Sequence, residues 1–236
     1  MEYILLTGCT SSIGKSIATA LAGKYSLILA GKNAVEIHEL KASLDGERHL
    51  IWLCDFLKDD VAGSLHFFLK ETQVTPSHFL HVSGLFALSP IRLQKKEQTQ
   101  HLFQVNVFSA IEIMTVLSKK DFKSTLKNVL FFSSVSSIRG KAGYAVYASA
   151  KSALLGLMRS LAVELQPIKI NAIVLGAVKT KATQWIIAEN EALLSQSIPL
   201  GLAQEDVLNH WMQFLLEGKT WTTGQEIVID GGASVL

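Results

Sequence analysis

Tyr147 and Lys151 stand four residues apart in the run Tyr-Ala-Ser-Ala-Lys. In a helix that spacing puts both side chains on one face, a phenol beside an ammonium. A free phenol, with a pKa of about 10, trades protons poorly near neutrality. An ammonium ~4 Å away at an effective dielectric of ~20 favours the phenolate by about 4 kcal/mol, at most about 3 pKa units. The pair is therefore expected to bring the Tyr147 phenol down toward the range useful for general acid–base catalysis. Such a pair suits proton exchange with the oxygen of a carbonyl or alcohol while hydride moves at the carbon. Ser134, thirteen residues ahead in Phe-Phe-Ser-Ser, has a hydroxyl to donate to the same oxygen. Asn106, in Phe-Gln-Val-Asn-Val-Phe, is placed to order a water that relays protons to Lys151, which is itself in reach of a nicotinamide ribose.

Hydride needs a carrier, and the stretch from Thr7 to Gly14 offers a place for one: Gly8, Thr10, Ser11, Ser12, Ile13 and Gly14 link the first apolar run to the first helical stretch. Backbone N–H groups and the dipole at a helix N-terminus attract a pyrophosphate. Gly8 permits a tight turn, and Gly14 lets helix and strand approach. Between them stands Ser12, where a glycine would bring backbone nearest the phosphates. Its hydroxyl fits if φ is negative and adds a hydrogen bond; its β-carbon can equally weaken binding. After the second strand come Gly31 and Lys32, with no acid until Glu36. A carboxylate there would take the 2′-hydroxyl of NAD, whereas Lys32 favours the 2′-phosphate of NADP. Singly, each feature has a plainer explanation: a serine-capped turn, a surface lysine, an ordinary helix, a turn serine, a packing amide. Their order along one chain argues against all of those holding together.

The elements that must position these residues follow from periodicity. Apolar runs at 3–6, 27–30, 50–53, 79–82, 129–132, 170–175 and 226–230 predict strands, and 15–25, 34–44, 61–71, 97–117, 147–165 and 206–216 predict helices. Nearly continuous apolar strands, each followed by a helix, imply a parallel sheet covered on both faces. The expected fold is a single doubly wound α/β domain spanning residues 1–236, with seven strands and ligands beyond their carboxyl ends.

Composition narrows the partners. Hydrophobic residues are 49% of the 236 and charged residues 18%, enough to fill a large core. With 22 basic and 20 acidic residues, the net charge of +2 gives no reason to expect nucleic acid or an anionic membrane. Cys9 and Cys54 do not form a CxxC pair, which suits a reducing cytoplasm better than a disulfide framework. The start lacks the basic region of a signal peptide, and no apolar run approaches the ~20 residues of a membrane-spanning helix. The seven histidines never pair at ligand spacing with Cys or Asp, so no metal is expected.

In these residues the chain resembles the short-chain dehydrogenase/reductase family, in the subgroup that includes 3-oxoacyl-carrier-protein reductases. The resemblance runs from Thr7 to Gly232 through the Thr7–Gly14 loop, Asp55, Asn106, Ser134, Tyr147–Lys151, Ile170–Gly176, Thr180, Ile198–Gly201 and Thr223–Gly232. It implies a Rossmann-type fold and a Ser134–Tyr147–Lys151–Asn106 tetrad with Tyr147 as acid/base and no metal. It also implies an NADP(H) or NAD(H) cofactor with Asp55 near the adenine, Thr180 near the carboxamide, and contacts from Phe56, Ser83, Gly84, Gly176 and Val178. A homotetramer or homodimer is implied too, and the apolar run 153–165 is consistent with its seam. The chain departs from the family at Ser12, at His81-Val82-Ser83-Gly84 where the family has Asn-Asn-Ala-Gly, and at Leu175-Gly176 where it has Pro-Gly. His81 serves packing or cofactor-side hydrogen bonds, or is a satisfied core histidine.

The segment at about 177–203 is expected to cover the substrate. Trp185, Ile186, Ile187, Leu193 and Leu194 surround Glu189-Asn190-Glu191 there, forming an amphipathic lid or a helix packed on the domain. Arg92, Arg139, Lys141, Lys179 and Lys181 are basic candidates near the mouth. The expected function is an oxidoreductase moving hydride between NADP(H), favoured over NAD(H), and a small carbonyl or alcohol such as a 3-oxoacyl thioester. The alternative is a catalytically silent dinucleotide-binding sensor or scaffold, which the altered loop and the His81–Gly84 stretch favour and the intact tetrad opposes.

Overall fold

Strands that are apolar on both sides need cover on both sides, and that requirement organises the molecule. The structure, a computed structural model, describes residues 2–217 and 219–235, without the side chains of residues 186, 189, 190, 192, 193 and 195. Seven strands, β1 (Tyr3–Thr7), β2 (Ser26–Gly31), β3 (Leu50–Leu53), β4 (His78–His81), β5 (Asn128–Ser134), β6 (Lys169–Leu175) and β7 (Glu226–Ile229), form one sheet. All neighbours are parallel, in the order β3-β2-β1-β4-β5-β6-β7. The helices are α1 (Ser12–Ala22), α2 (Ala34–Ser43), α3 (Val61–Thr72), α4 (Lys96–Phe103), α5 (Ser109–Leu117), α6 (Lys120–Lys123), α7 (Ala145–Glu164), α8 (Gln184–Ser197) and α9 (Asn209–Leu216).

The pleat sorts the core into two layers. Ile4, Leu6, Leu27, Leu29, Leu80 and Leu130 pack with Ile17 and Leu21 of α1, Ile37 of α2 and Met212 of α9. Leu5, Ile28, Phe79 and Phe131 point the other way, onto Leu65 of α3, Ile113 of α5 and Met158 of α7. This is the doubly wound arrangement expected. The winding reverses between β1 and β4, and a crevice opens beyond their carboxyl ends. Thr7 and His81 face each other in register at its floor.

Several boundaries differ from the pattern reading, three of them with consequences. Helix α1 begins at Ser12 rather than near 15, because Ser11 Oγ accepts the Gly14 N–H at 3.0 Å and caps a turn that periodicity read as loop. The long helix expected over 97–117 is broken by a π-helical turn, Gln104–Phe108, joining α4 to α5. An apolar stripe of period 3.6 carries no signal for one wider turn. The last helix starts at Asn209 rather than 206. In the run 153–165, Leu154, Leu155, Met158 and Ala162 face the sheet, so most of that stripe belongs to the core and Val163 points outward. Among the described residues, no helix is long and apolar enough to cross a membrane, and no group of His, Cys, Asp or Glu could hold a metal.

Phe79 is fully buried in the middle of the sheet, its ring edge-on to Phe131 with centroids 6.2 Å apart. Phe79→Ala removes that contact and leaves a cavity, and is expected to lower unfolding free energy by about 3–5 kcal/mol. Chemical denaturation should show an earlier midpoint with an unchanged slope.

Candidate active site

The floor of the crevice is fixed by close approach. Gly8 has φ +67°, and a Cβ there would lie 2.8 Å from Ser83 N. A Cβ on Gly14 would sit 2.1 Å from the Gly8 carbonyl oxygen. Both glycines are thus demanded by geometry, and the loop between them leaves the first amides of α1 without carbonyls four residues back. Ser12 lies within the helix, so its φ is negative, and its Oγ accepts the Lys181 N–H at 3.4 Å. The serine in place of the middle glycine ties the loop to the segment after β6.

Ser134 ends β5, and its Oγ accepts the Ser136 N–H at 3.2 Å. On α7, Tyr147 is half-buried, with the Phe86 ring edge-on at 5.0 Å and the Tyr144 ring at 6.4 Å. Lys151 is 5% exposed. Its Nζ donates to the Phe132 carbonyl at 2.8 Å and lies 5.9 Å from the Tyr147 ring centre. Asn106, fully buried in the π-helical turn, donates from Nδ2 to the carbonyls of Leu102 at 2.8 Å and Leu85 at 3.1 Å. Its Oδ1 has no partner among the described residues. A Cβ added to Gly84 would lie 2.7 Å from that Oδ1 and 3.0 Å from Lys151 Nζ. Glycine therefore leaves an atom-sized gap between an orphaned acceptor and an ammonium, a site suited to a water or a hydroxyl.

Electrostatics corrects one expectation. Burial pushes the Tyr147 phenol up to about 12; the Ser134 hydroxyl opposes this and the Tyr144 charge adds to it. Burial brings Lys151 down to about 8. The phenol is thus raised, not lowered. The reason is geometric: the ammonium turns to the Phe132 carbonyl and sits over the Tyr147 ring, so desolvation outweighs its pull on the phenol. The site holds a neutral phenol, the form that gives a proton away.

These groups open onto a cavity of about 640 Å³. Of the expected residues, it brings together Thr10, Ser11, Ser12, Ile13, Gly84, Ser134, Tyr147, Lys151, Gly176, Val178 and Thr180. Gly8, Gly14 and Ser83 pack under the loop, and Asn106 stands behind Gly84. Lys32, Asp55 and Phe56 lie outside the lining. Lys32 is exposed at the turn into α2, and Asp55 accepts the Leu57 N–H at 3.1 Å. The Phe56 ring is buried 6.0 Å from Trp52, so its side chain serves the core and only its backbone is left for a ligand. Gly176 is held against Asp230, whose Cα a Cβ would meet at 2.6 Å.

Ile187 and Leu194 of α8 line the cavity, whereas Trp185 is exposed; the side chains of Ile186, Glu189, Asn190 and Leu193 lie outside the described residues. At the mouth, Arg139 bonds the Ala233 carbonyl and Lys141 Nζ lies 5.1 Å from the Tyr144 ring centre. Lys181 also lines the cavity, while Arg92 and Lys179 do not, Lys179 being paired with Glu191. Sequence reasoning missed Phe86 and Tyr144. The i, i+3 spacing of Tyr144 and Tyr147 was the available signal for Tyr144; nothing local marks Phe86.

A dinucleotide fits these residues: a loop forced flat by two glycines at a helix N-terminus, an unpaired buried acceptor, and a buried ammonium at the far end of one cavity. Comparisons with known proteins agree in extent and kind. Residues 8–234 match the family model described as enoyl-(acyl carrier protein) reductase. The chain is 27% identical over 233 residues to carbonyl reductase family member 4 of Danio rerio, covering 97% of this chain and 96% of that one. It is 28% identical over 236 residues to the 3-oxoacyl-[acyl-carrier-protein] reductase of Rattus norvegicus, covering 95% and 94%. A short-chain type dehydrogenase/reductase from Mycobacterium ulcerans superposes with a TM-score of 0.90 at 21% identity, covering 99% of this chain and 90% of that one.

Burying Lys151 carries a testable penalty. A fall from an ordinary lysine value of 10.5 to about 8 means that folding disfavours its charge at pH 7. Between about pH 8 and 10.5 the unfolded chain binds more protons, so wild-type stability rises over that range. Lys151→Met should therefore raise stability at pH 7 by about 2 kcal/mol, allowing for the lost hydrogen bond to Phe132. The gain should shrink toward pH 10.5, as read from denaturation midpoints at several pH values.

Proposed function

Since the chain belongs to the short-chain dehydrogenase/reductase family, we propose that it is a carbonyl reductase taking hydride from NADPH and delivering it to the 3-oxo group of an acyl thioester. The observation that carries this reading is the neutral Tyr147 phenol, half-buried, with the Ser134 hydroxyl and Lys151 facing one cavity. The relatives named as 3-oxoacyl-[acyl-carrier-protein] and carbonyl reductases support the substrate class. So does a cavity with Phe86, Leu85, Ile187 and Leu194 in its walls and Arg139, Lys141 and Lys181 among its lining.

When bound, the reduced nicotinamide supplies the hydride. Ser134 donates a hydrogen bond to the carbonyl oxygen and orients it. As the carbon accepts hydride, the oxygen becomes an alkoxide and Tyr147 gives it the phenolic proton. The ammonium of Lys151, over the Tyr147 ring, is the source from which the phenolate is reprotonated. The orphaned Oδ1 of Asn106 holds the water or hydroxyl that restores the lysine. Phe86 and Tyr144 keep bulk water from the phenol. In the reverse direction Tyr147 must first lose its proton, so a phenol at about 12 favours reduction.

NADPH is preferred over NADH on two grounds. Lys32 is exposed at the turn after β2, where it would meet a ribose 2′-phosphate, and the carboxylate of Glu36 accepts from Asn33 Nδ2 at 2.7 Å, committed to the cap of α2. Asp55 contributes at the adenine. The protein acts as one domain. It assembles as a homodimer or homotetramer, with exposed Phe108, Ile111 and Val163 available for the seam. The buried thiols Cys9 and Cys54 suit a reducing cytoplasm.

With acetoacetyl-CoA as probe and NADPH absorbance as readout, Tyr147→Phe should lower turnover by about 10²–10⁴ while NADPH binding stays within a few-fold. Unchanged turnover removes the mechanism; wild-type binding without turnover of any oxo compound favours a sensor instead. Reduction should hold steady below pH 8 and fall above it as Lys151 loses its proton near 8. Alcohol oxidation should rise over the same range. Lys32→Ala should raise KM for NADPH by about tenfold and leave KM for NADH unchanged.

A further inference from the structure

His81, at the carboxyl end of β4, is completely buried, and each ring nitrogen meets a partner on a different element. Nε2 lies 3.3 Å from the backbone carbonyl oxygen of Asn106. A carbonyl only accepts, so Nε2 carries the hydrogen. Nδ1 is then a lone pair, and the Thr7 hydroxyl 3.1 Å away donates to it. Thr7 Oγ1 in turn accepts the Ser83 N–H at 3.3 Å. The result is one directional chain: Ser83 N–H to Thr7 Oγ1, Thr7 O–H to His81 Nδ1, His81 Nε2–H to the Asn106 carbonyl.

Its ends matter. Ser83 N is the atom that Gly8 approaches so closely, and Asn106 sits in the π-helical turn with its Oδ1 toward Lys151. The chain therefore joins the loop under the dinucleotide to the turn beside the ammonium. The groups facing the ring are Thr7 of β1, Asn106, the Phe79 ring at 5.8 Å, the Phe131 ring at 6.4 Å and the Lys151 ammonium. No carboxylate is among them. Burial first, then the Lys151 charge, hold the imidazole neutral, down to about 3.

We propose that His81 is a positioning residue: as the neutral Nε2–H tautomer it locks the π-helical turn to the phosphate-binding loop and so sets Asn106 against Lys151. This rests on the reading of the site as a reductase, and its test separates the two. In the whole protein labelled with ¹⁵N-histidine, long-range ¹H–¹⁵N spectra should show His81 with Nε2 protonated and no titration between pH 5 and about 8, the range an ordinary imidazole crosses. A protonated Nδ1, or ionisation in that range, overturns the proposal whether or not the protein is active.

Kinetics with NADPH and acetoacetyl-CoA then test the positioning. His81→Leu should lower kcat by about tenfold or more with KM and NADPH affinity within about threefold. His81→Gln, which still reaches the Asn106 carbonyl, should recover most of that loss. Thr7→Val keeps the shape but removes the donor that fixes the tautomer, so it should lower kcat alone and carries the test if His81→Leu does not fold. Equal losses in kcat and cofactor affinity, or no loss in kcat, overturn it. If acetoacetyl-CoA is not reduced, the reductase reading fails by itself. The side-chain amide resonances of Asn106 then decide: they should move in Thr7→Val, and unmoved resonances overturn the lock.

Discussion

A charged amine almost out of contact with water is the constraint around which the site is arranged. Removing an ammonium from water is expensive unless protein dipoles replace its hydration. Lys151 receives one such dipole from the Phe132 carbonyl, which β5 presents at its carboxyl end, and faces a second at Asn106 Oδ1 across the gap over Gly84. The remaining deficit is visible in its depressed pKa of about 8. That deficit has a use. An amine near 8 exchanges its proton readily close to neutrality, whereas a solvated lysine near 10.4 holds it.

The same dryness explains why the phenol and the amine shift in opposite directions. Desolvation penalises whichever form is charged, so it raises a phenol and lowers an amine. An unperturbed amine and phenol titrate within about half a unit of each other; burial parts them, to about 8 for Lys151 and about 12 for Tyr147, so the phenol stays neutral while the amine is the group poised to exchange. Phe86 and Tyr144 contribute by filling the space beside the phenol with apolar rings.

The sheet and the glycines were legible because they answer to local rules. Continuous apolar strands, turn glycines and helix stripes follow from burial on two faces, and each strand lies within one or two residues of its apolar run. That Ser134, Tyr147, Lys151 and Asn106 gather at one crevice was legible, but the electrostatics there was not. Spacing places Tyr147 and Lys151 on one face without saying that the amine turns to Phe132. Likewise the π-helical turn at Gln104–Phe108 depends on long-range bonds, since the Asn106 carbonyl is taken by His81, 25 residues away in sequence. Sequence could not say which way the Phe56 side chain points, because a residue after a strand can turn to the cleft or to the core, and packing against Trp52 decides.

The departures from the family pattern then acquire a common logic. Ser12, in helical conformation, brings no left-handed strain to the Thr7–Gly14 loop and accepts a bond from the Lys181 amide, so the loop is tied to the segment after β6. His81 ties the same loop to the π-helical turn through Thr7. Ser12 and His81 each stand where the family has a small or amide residue and each reaches a neighbouring element. A turn tied to its neighbours on both sides holds Asn106 and Lys151 in one arrangement, and fixed orientation of that kind bears on reacting geometry rather than on affinity. On this view the altered residues stiffen the floor of the crevice, and the altered loop ceases to be an argument for a silent protein.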